Sequence, residues 1–200
     1  MNKSIIVEKI IKRVENYRFL VISGNGGSGK TTIAKSIKEI LENGNKKINI
    51  ISMDDFIVDT TLRNNSETKW SYNNQEFKGR YTSCCKESYF LRGILPILHS
   101  LRNKQDIYYL PKRSDVVKLF GNADLTIIEG IGSVFLPNSN DTLKVWLECD
   151  KNTEITRRIN RDKKFTKKQI EEQYIERTSQ FKANIEPFKD NFDIIIDTSI

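Results

Sequence analysis

The sequence is poor in the side chains that most often carry polar catalysis. Its single histidine, His99, lies in an amphipathic helical pattern where a structural role suffices. No serine–histidine or cysteine–histidine pair is therefore credible, and any general base falls to a carboxylate. The three cysteines, Cys84, Cys85 and Cys149, are odd in number and lack metal-ligand spacing. Bridging the adjacent Cys84 and Cys85 would be strained, so all three are expected as reduced thiols in a reducing compartment. No apolar run approaches a membrane span, and residues 1–20 are basic and mixed, without a signal-peptide core. These absences lead to the expectation of a cytoplasmic protein with no membrane partner. Repeats, low-complexity tracts and linkers are also missing, and 200 residues suit one domain spanning 1–200.

Acidic residues are in deficit. Lys and Arg number 33 against 26 Asp and Glu, a formal net charge of +7. Such a surplus fits nucleic-acid binding, or a cleft that gathers anionic nucleotides. The basic clusters lie where a nucleotide-using enzyme needs them, so nucleic acid is not the expected partner.

What the chain does contain is Gly24-Asn25-Gly26-Gly27-Ser28-Gly29-Lys30-Thr31, followed by Thr32. This fits the P-loop pattern G-x-x-x-x-G-K-[ST]. The apolar run 19–23 before it reads as a buried strand. Ile33, Ile37, Ile40 and Leu41 after it recur at helical spacing, with Gly44 as a stop. Glycines let successive backbone N–H groups point into one concavity, and the following helix adds its positive end. Lys30 then reaches the β- and γ-phosphates, and the Thr31 hydroxyl ligates Mg²⁺. Gly24, Gly26 and Gly29 also fit the dinucleotide fingerprint G-x-G-x-x-G, with Asp54 at a compatible distance. A ligand-free glycine turn is the plainest alternative. Lys30-Thr31 favours the P-loop, because a dinucleotide fold needs neither a cation nor a hydroxyl there.

Residues 4–16 form a helical pattern with Ser4 as N-cap. The run 48–53 reads as a second strand ending at Asp54-Asp55-Phe56. Ligands in open α/β sheets bind outside the carboxyl ends of strands, so these acids belong on the edge that carries the P-loop. Residues 57–83 are polar and show no clear periodicity; Arg80 and Tyr81 there either frame an acceptor or anchor a loop. A helix follows over 86–102, kinked at Pro96. A strand at 106–110 contains Tyr109, and a basic loop at 111–115 is best taken as solvated. Leu125-Thr126-Ile127-Ile128-Glu129-Gly130 is a strand ending in an acid, which makes Glu129 the Walker-B-like candidate for Mg²⁺. Strands at 143–149 and 193–197 enclose a helix with Arg157, Arg158 and Arg161 and a helical stretch at 166–184. The alternation of strands and helices implies a parallel sheet.

In order and spacing, Gly24–Thr31, Asp54-Asp55-Phe56, Ile128-Glu129-Gly130 and Arg157-Arg158-Ile159-Asn160-Arg161-Asp162 resemble the uridine kinase/phosphoribulokinase-like P-loop kinases over residues 18–197. The resemblance implies an α/β fold: a central parallel sheet of about five strands, helices on both faces and an arginine-bearing lid at about 157–168. It implies ATP and Mg²⁺ as cofactors, Asp54 as catalytic base, and lid arginines on the transferring phosphate. Positions 157 and 161 share a helix face, which favours Arg157 and Arg161 over Arg158. Asp54 is preferred over Asp55 because strand alternation turns the next side chain away, and the family motif points to the same residue. The implied acceptor is a small-molecule alcohol such as a nucleoside, with Asp54, Arg80, Tyr81, Tyr109 and Glu129 as candidate contacts. The sequence departs from uridine kinases at Ile57, where they place Tyr, and in lacking their nucleoside-holding segments. The alternative function is a P-loop switch acting on a protein or nucleic-acid partner, which would need no base for a small-molecule hydroxyl.

Overall fold

The computed structural model describes residues 2–112, 115–161 and 167–199. The chain begins with α1 (Lys3–Val14), β1 (Phe19–Gly24), α2 (Lys30–Asn43) and β2 (Ile48–Ser52). A 3-10 turn (Met53–Phe56), α3 (Thr60–Asn64), β3 (Thr68–Tyr72) and β4 (Gln75–Gly79) follow. Then come α4 (Leu91–Arg102), β5 (Ile107–Tyr109), β6 (Val117–Leu119), β7 (Leu125–Glu129) and β8 (Thr142–Glu148). The chain closes with α5 (Lys151–Arg161), α6 (Lys167–Asn184) and β9 (Ile194–Asp197).

Five of these strands form a parallel sheet in the order β2-β7-β1-β8-β9. The inner strands are continuous apolar runs because helices cover both faces. Along β1 the side chains alternate. Phe19 and Val21 enter one core with Ile94, Leu98, Trp146 and Phe181. Leu20 and Ile22 enter the other with Ile6, Ile10, Ile33 and Ile37. Helices α1 and α2 therefore back one face, and α4 and α6 the other, giving three layers.

Several local expectations are revised. The N-cap of α1 is Asn2 rather than Ser4; its side chain accepts from the Ser4 N–H at 3.2 Å. The 86–102 helix starts only at Leu91, after a 3-10 turn at Lys86–Ser88. The strand at 106–110 does not join the sheet. Three of its residues pair antiparallel with β6 in a separate ribbon. Tyr108 at its centre is 64% exposed, so this strand has no second apolar face to bury.

The largest revision concerns 57–83, which holds α3 and the β3–β4 hairpin instead of irregular chain. Asn73 and Asn74 join the strands with φ of 50° and 58°. Two left-handed residues make the tight turn that matches strand twist, and asparagine tolerates that region best among residues with a Cβ. Trp70 stacks on its cross-strand partner Phe77 at 5.8 Å and donates through Nε1 to Ser179 Oγ at 3.1 Å. The hairpin is thereby pinned to α6. The alternation Thr68, Trp70, Tyr72 was its signal.

Trp146, 1% exposed on β8, meets Phe192 edge-on at 5.3 Å and Phe181 at 5.9 Å. It joins the sheet to α6 and the C-terminal turn. Trp146→Ala is expected to cost about 3–5 kcal/mol of stability through lost burial and the cavity left behind. Urea denaturation followed by far-UV circular dichroism measures this, and a loss below about 1 kcal/mol would contradict the packing described.

Candidate functional site: a phosphate-binding loop and its carboxylate edge

Parallel register brings the chemistry together. Ile22 of β1 and Ser52 of β2 both pair with Glu129 of β7, so three strand ends share one edge. Gly24 pairs with Leu147 of β8, where φ of 129° turns the chain into the loop. A Cβ at Gly24 would lie 1.7 Å from the Leu147 carbonyl oxygen, so only glycine fits. Gly27 and Gly29 are also left-handed, with φ of 69° and 86°.

The loop is braced from outside. Asn25 Nδ2 donates to the Cys149 carbonyl and to Glu154 Oε2, both at 3.0 Å, and its Oδ1 accepts from the Cys149 N–H at 3.1 Å. Ser28 Oγ donates to the Asn25 carbonyl at 2.9 Å. Arg157 donates to the Gly27 carbonyl at 2.8 Å and to the Thr198 carbonyl at 2.7 Å. These contacts occupy loop carbonyls, which leaves the concavity to N–H groups. Lys30 Nζ rests on the carbonyls of Asn25 (2.6 Å) and Gly24 (3.1 Å). Desolvation lowers its pKa, opposed by Glu129 and then Asp54.

Glu129 is 5% exposed. Its Oε2 accepts from Thr31 Oγ1 at 3.0 Å and its Oε1 from Ser52 Oγ at 2.9 Å. Burial pushes its pKa up; the two hydroxyls and Lys30 oppose that. A buried carboxylate touching a hydroxyl beside a phosphate loop is the oxygen donor set that suits Mg²⁺. Mg²⁺ keeps several waters and phosphate oxygens among its ligands, so Thr31 and Glu129 are the residues that would hold it here.

These groups line a cavity of about 830 Å³. Its wall includes Gly26, Gly27, Ser28, Gly29, Lys30, Thr31, Thr32, Asp54, Ser83, Glu129, Arg157, Arg158, Arg161 and Arg177. Asp54 thus faces the phosphate loop, but strand alternation is not the cause. Met53–Phe56 is a 3-10 turn, and Asp54 N–H is held by Ser52 Oγ at 3.4 Å. Asp55 turns toward Tyr109, whose hydroxyl donates to it at 3.3 Å.

The remaining predicted residues divide. Arg161 lines the cavity. The lid range 157–168 includes 162–166, which lie outside the described residues. Arg80, Tyr81 and Tyr109 do not line the cavity. Arg80 donates to Asn64, and Tyr81 N–H is held by Ser66 Oγ at 2.9 Å, so these two anchor the segment. Tyr109 stacks on Phe56 at 5.9 Å and acts on the site only through Asp55. The cysteines form no disulfide, and burial raises all three thiols, Cys85 to about 11. Sequence reasoning missed Ser52, Ser83, Arg177 and Thr198. Strand register gives Ser52 once Glu129 is chosen. Arg177 is one charge among many on a polar helix, and no local signal marks it.

Fold and site define a P-loop phosphotransferase. The chain belongs to the phosphoribulokinase/uridine kinase family, whose sequence profile matches residues 19–199. A search of curated proteins returned no match. Solved structures share the fold at low identity. D-glycerate 3-kinase from Cryptococcus neoformans var. grubii is 15% identical, with a TM-score of 0.61 over 98% of this chain and 95% of that one. A candidate fructose transport system kinase from Silicibacter sp. TM1040 is 14% identical, with a TM-score of 0.59 over 98% and 99%. A "possible uridine kinase" from Bacillus stearothermophilus is 18% identical, with a TM-score of 0.54 over 98% and 97%.

The raised pKa of Glu129 gives a prediction with opposite signs for stability and metal use. An acid whose folded pKa exceeds its unfolded value of about 4.3 stabilises below that value, and the contribution is lost as pH rises through the folded pKa. At neutral pH the ionised Glu129 therefore costs the nucleotide-free protein stability. Glu129→Gln should raise its Tm at pH 7.5, with the gain fading toward pH 4. The same change should remove the Mg²⁺-dependent part of stabilisation by ATP. Scanning calorimetry with and without Mg²⁺ tests both; a lowered Tm at pH 7.5 together with retained Mg²⁺ dependence would reject this role.

Proposed function

We propose that the chain, as a single P-loop kinase domain, transfers the γ-phosphate of ATP to a hydroxyl of a small molecule. The observation that carries the reading is the presence of Asp54 on the wall of the cavity that also holds Lys30, Thr31 and Glu129. Phosphoryl transfer depends on positioning and charge neutralisation, with a carboxylate to accept the hydroxyl proton. In this reading the loop N–H groups and Lys30 hold the β- and γ-phosphates. Thr31 and Glu129 hold Mg²⁺, which neutralises charge on the phosphate oxygens when bound. Asp54 orients the acceptor hydroxyl and takes its proton. Arg161 meets the charge that develops on the transferring group. Arg157 steadies the loop through Gly27 and contributes to turnover indirectly. The fold relatives named above carry the names of a glycerate kinase, a candidate kinase of a fructose transport system and a possible uridine kinase. Their shared class is a small-molecule alcohol, and the acceptor is proposed at that level.

Two variants separate binding from chemistry. Lys30→Ala removes the cation nearest the phosphates, so calorimetry should show ATP affinity lowered at least tenfold, with transfer nearly abolished. Unchanged affinity and turnover would refute the role of the loop. Asp54→Asn keeps shape and hydrogen bonding but removes the charge. It should leave ATP affinity within about twofold and lower kcat by roughly 10²–10⁴. An Asn variant turning over at the wild-type rate would show that Asp54 is not the base.

A further inference from the structure

The cavity holds more cationic charge than the nucleotide site described above uses. Arg158 of α5 and Arg177 of α6 both line it. Arg158 is 6% exposed, and its guanidinium meets Glu154 at 2.5 Å, a carboxylate equally buried. Arg177 reaches Ser83 Oγ through Nη2 at 3.5 Å. The Nε of each arginine is buried with no hydrogen-bond partner among the described residues. Among the described residues, the two guanidinium groups have one ion-paired carboxylate between them, Glu154 on Arg158. An unpartnered buried N–H of this kind costs free energy unless a ligand completes it. The pair also repels itself: Arg158 has its pKa lowered by burial and next by Arg177.

Position separates the two arginines from the phosphate loop's own donors. Arg158 packs on the loop: a Cβ at Gly26 would lie 2.2 Å from its Nη2. Arg177 sits at the other end of the pair, against the segment that carries Ser83. Tyr89 holds that segment. Its hydroxyl donates to the Ser83 carbonyl at 2.9 Å. Arg177 and Ser83 line the same cavity as Asp54, the proposed base.

From this we infer that the acceptor is an alcohol carrying an anionic group, a carboxylate or a phosphate ester. Arg177 with Ser83 binds that anion, and Arg158 supports it from the loop side. A guanidinium binds either group through paired N–H donors, at roughly twice the strength of neutral hydrogen bonds. The inference rests on the kinase reading above and narrows its substrate class. It disfavours a neutral nucleoside, which offers the two guanidinium groups no anion.

The test uses matched acceptors that differ by one anionic group: glycerate against glycerol, and ribose 5-phosphate against ribose, with uridine as a further neutral alcohol. Each is assayed for transfer from ATP, and for binding to the protein loaded with Mg²⁺ and a non-hydrolysable ATP analogue. The anionic member of at least one pair should be favoured at least tenfold in binding and in kcat/KM. The pair that responds tells carboxylate from phosphate ester. Arg177→Gln should raise KM for that acceptor at least tenfold with the KM for ATP within about twofold, and Arg177→Lys should restore part of the loss. Preference for neutral alcohols, or no anionic compound bound at 20 mM, overturns the inference. A fall in kcat that is equal for charged and neutral acceptors also overturns it, because Arg177 would then serve the transferring phosphate. Selective anion binding with no transfer to any acceptor would instead count against the kinase reading.

Discussion

The close approach of Gly24 to Leu147 is the constraint on which the site depends. β1 lies between β7 and β8, and its last residue is a glycine because the Leu147 carbonyl occupies the space of a side chain. That contact fixes where the phosphate loop leaves the sheet. Register does the rest: Glu129 ends beside both Ile22 and Ser52, and the 3-10 turn after β2 carries Asp54 to the same cavity. The loop is then tied down from β8 and α5 by Asn25, Glu154 and Arg157. A strand slipped by one residue would break every one of these relations, since it would exchange the two faces of the sheet.

Electrostatics and stability work against each other here. Glu129, Lys30 and Arg158 are each desolvated in the sense that disfavours their charged form. Groups with shifts of this kind in a cleft mark functional sites, because ligands supply the opposite charge. In the proposed function, polyphosphate and Mg²⁺ would answer Lys30 and Glu129, and an anionic acceptor would answer Arg158 and Arg177. The net charge of +7 is therefore no even coating; part of it is concentrated where anions are handled.

Much of this was legible in the sequence. The phosphate loop, the flanking strands and helices, and Glu129 announce themselves through glycine spacing and apolar period, because local steric and burial rules dictate them. Asp54 was reached by two arguments, and one fails: the residue lies in a 3-10 turn, so alternation does not decide which acid faces the cavity. The hairpin at 68–79 was missed although its alternation and asparagine turn are local signals, because it is short and half exposed. Helix-face reasoning separated Arg157 and Arg161 from Arg158, yet all three line the cavity, since it wraps around α5. Arg177 shows the real limit: its meaning comes from α6 packing beside α5, and no pattern in the sequence carries that contact. Arg80, Tyr81 and Tyr109 illustrate the converse, aromatic and basic residues whose partners prove to be the protein itself.

The central claim is that this carboxyl edge moves a phosphoryl group to an alcohol. The most direct test is ³¹P NMR of the protein with Mg²⁺, ATP and a mixture of hydroxylated small molecules, charged and neutral. The account predicts loss of the γ-phosphate signal matched by growth of a new phosphomonoester signal, only when the acceptor mixture is present. Release of inorganic phosphate alone, at a rate indifferent to every alcohol supplied, would contradict it.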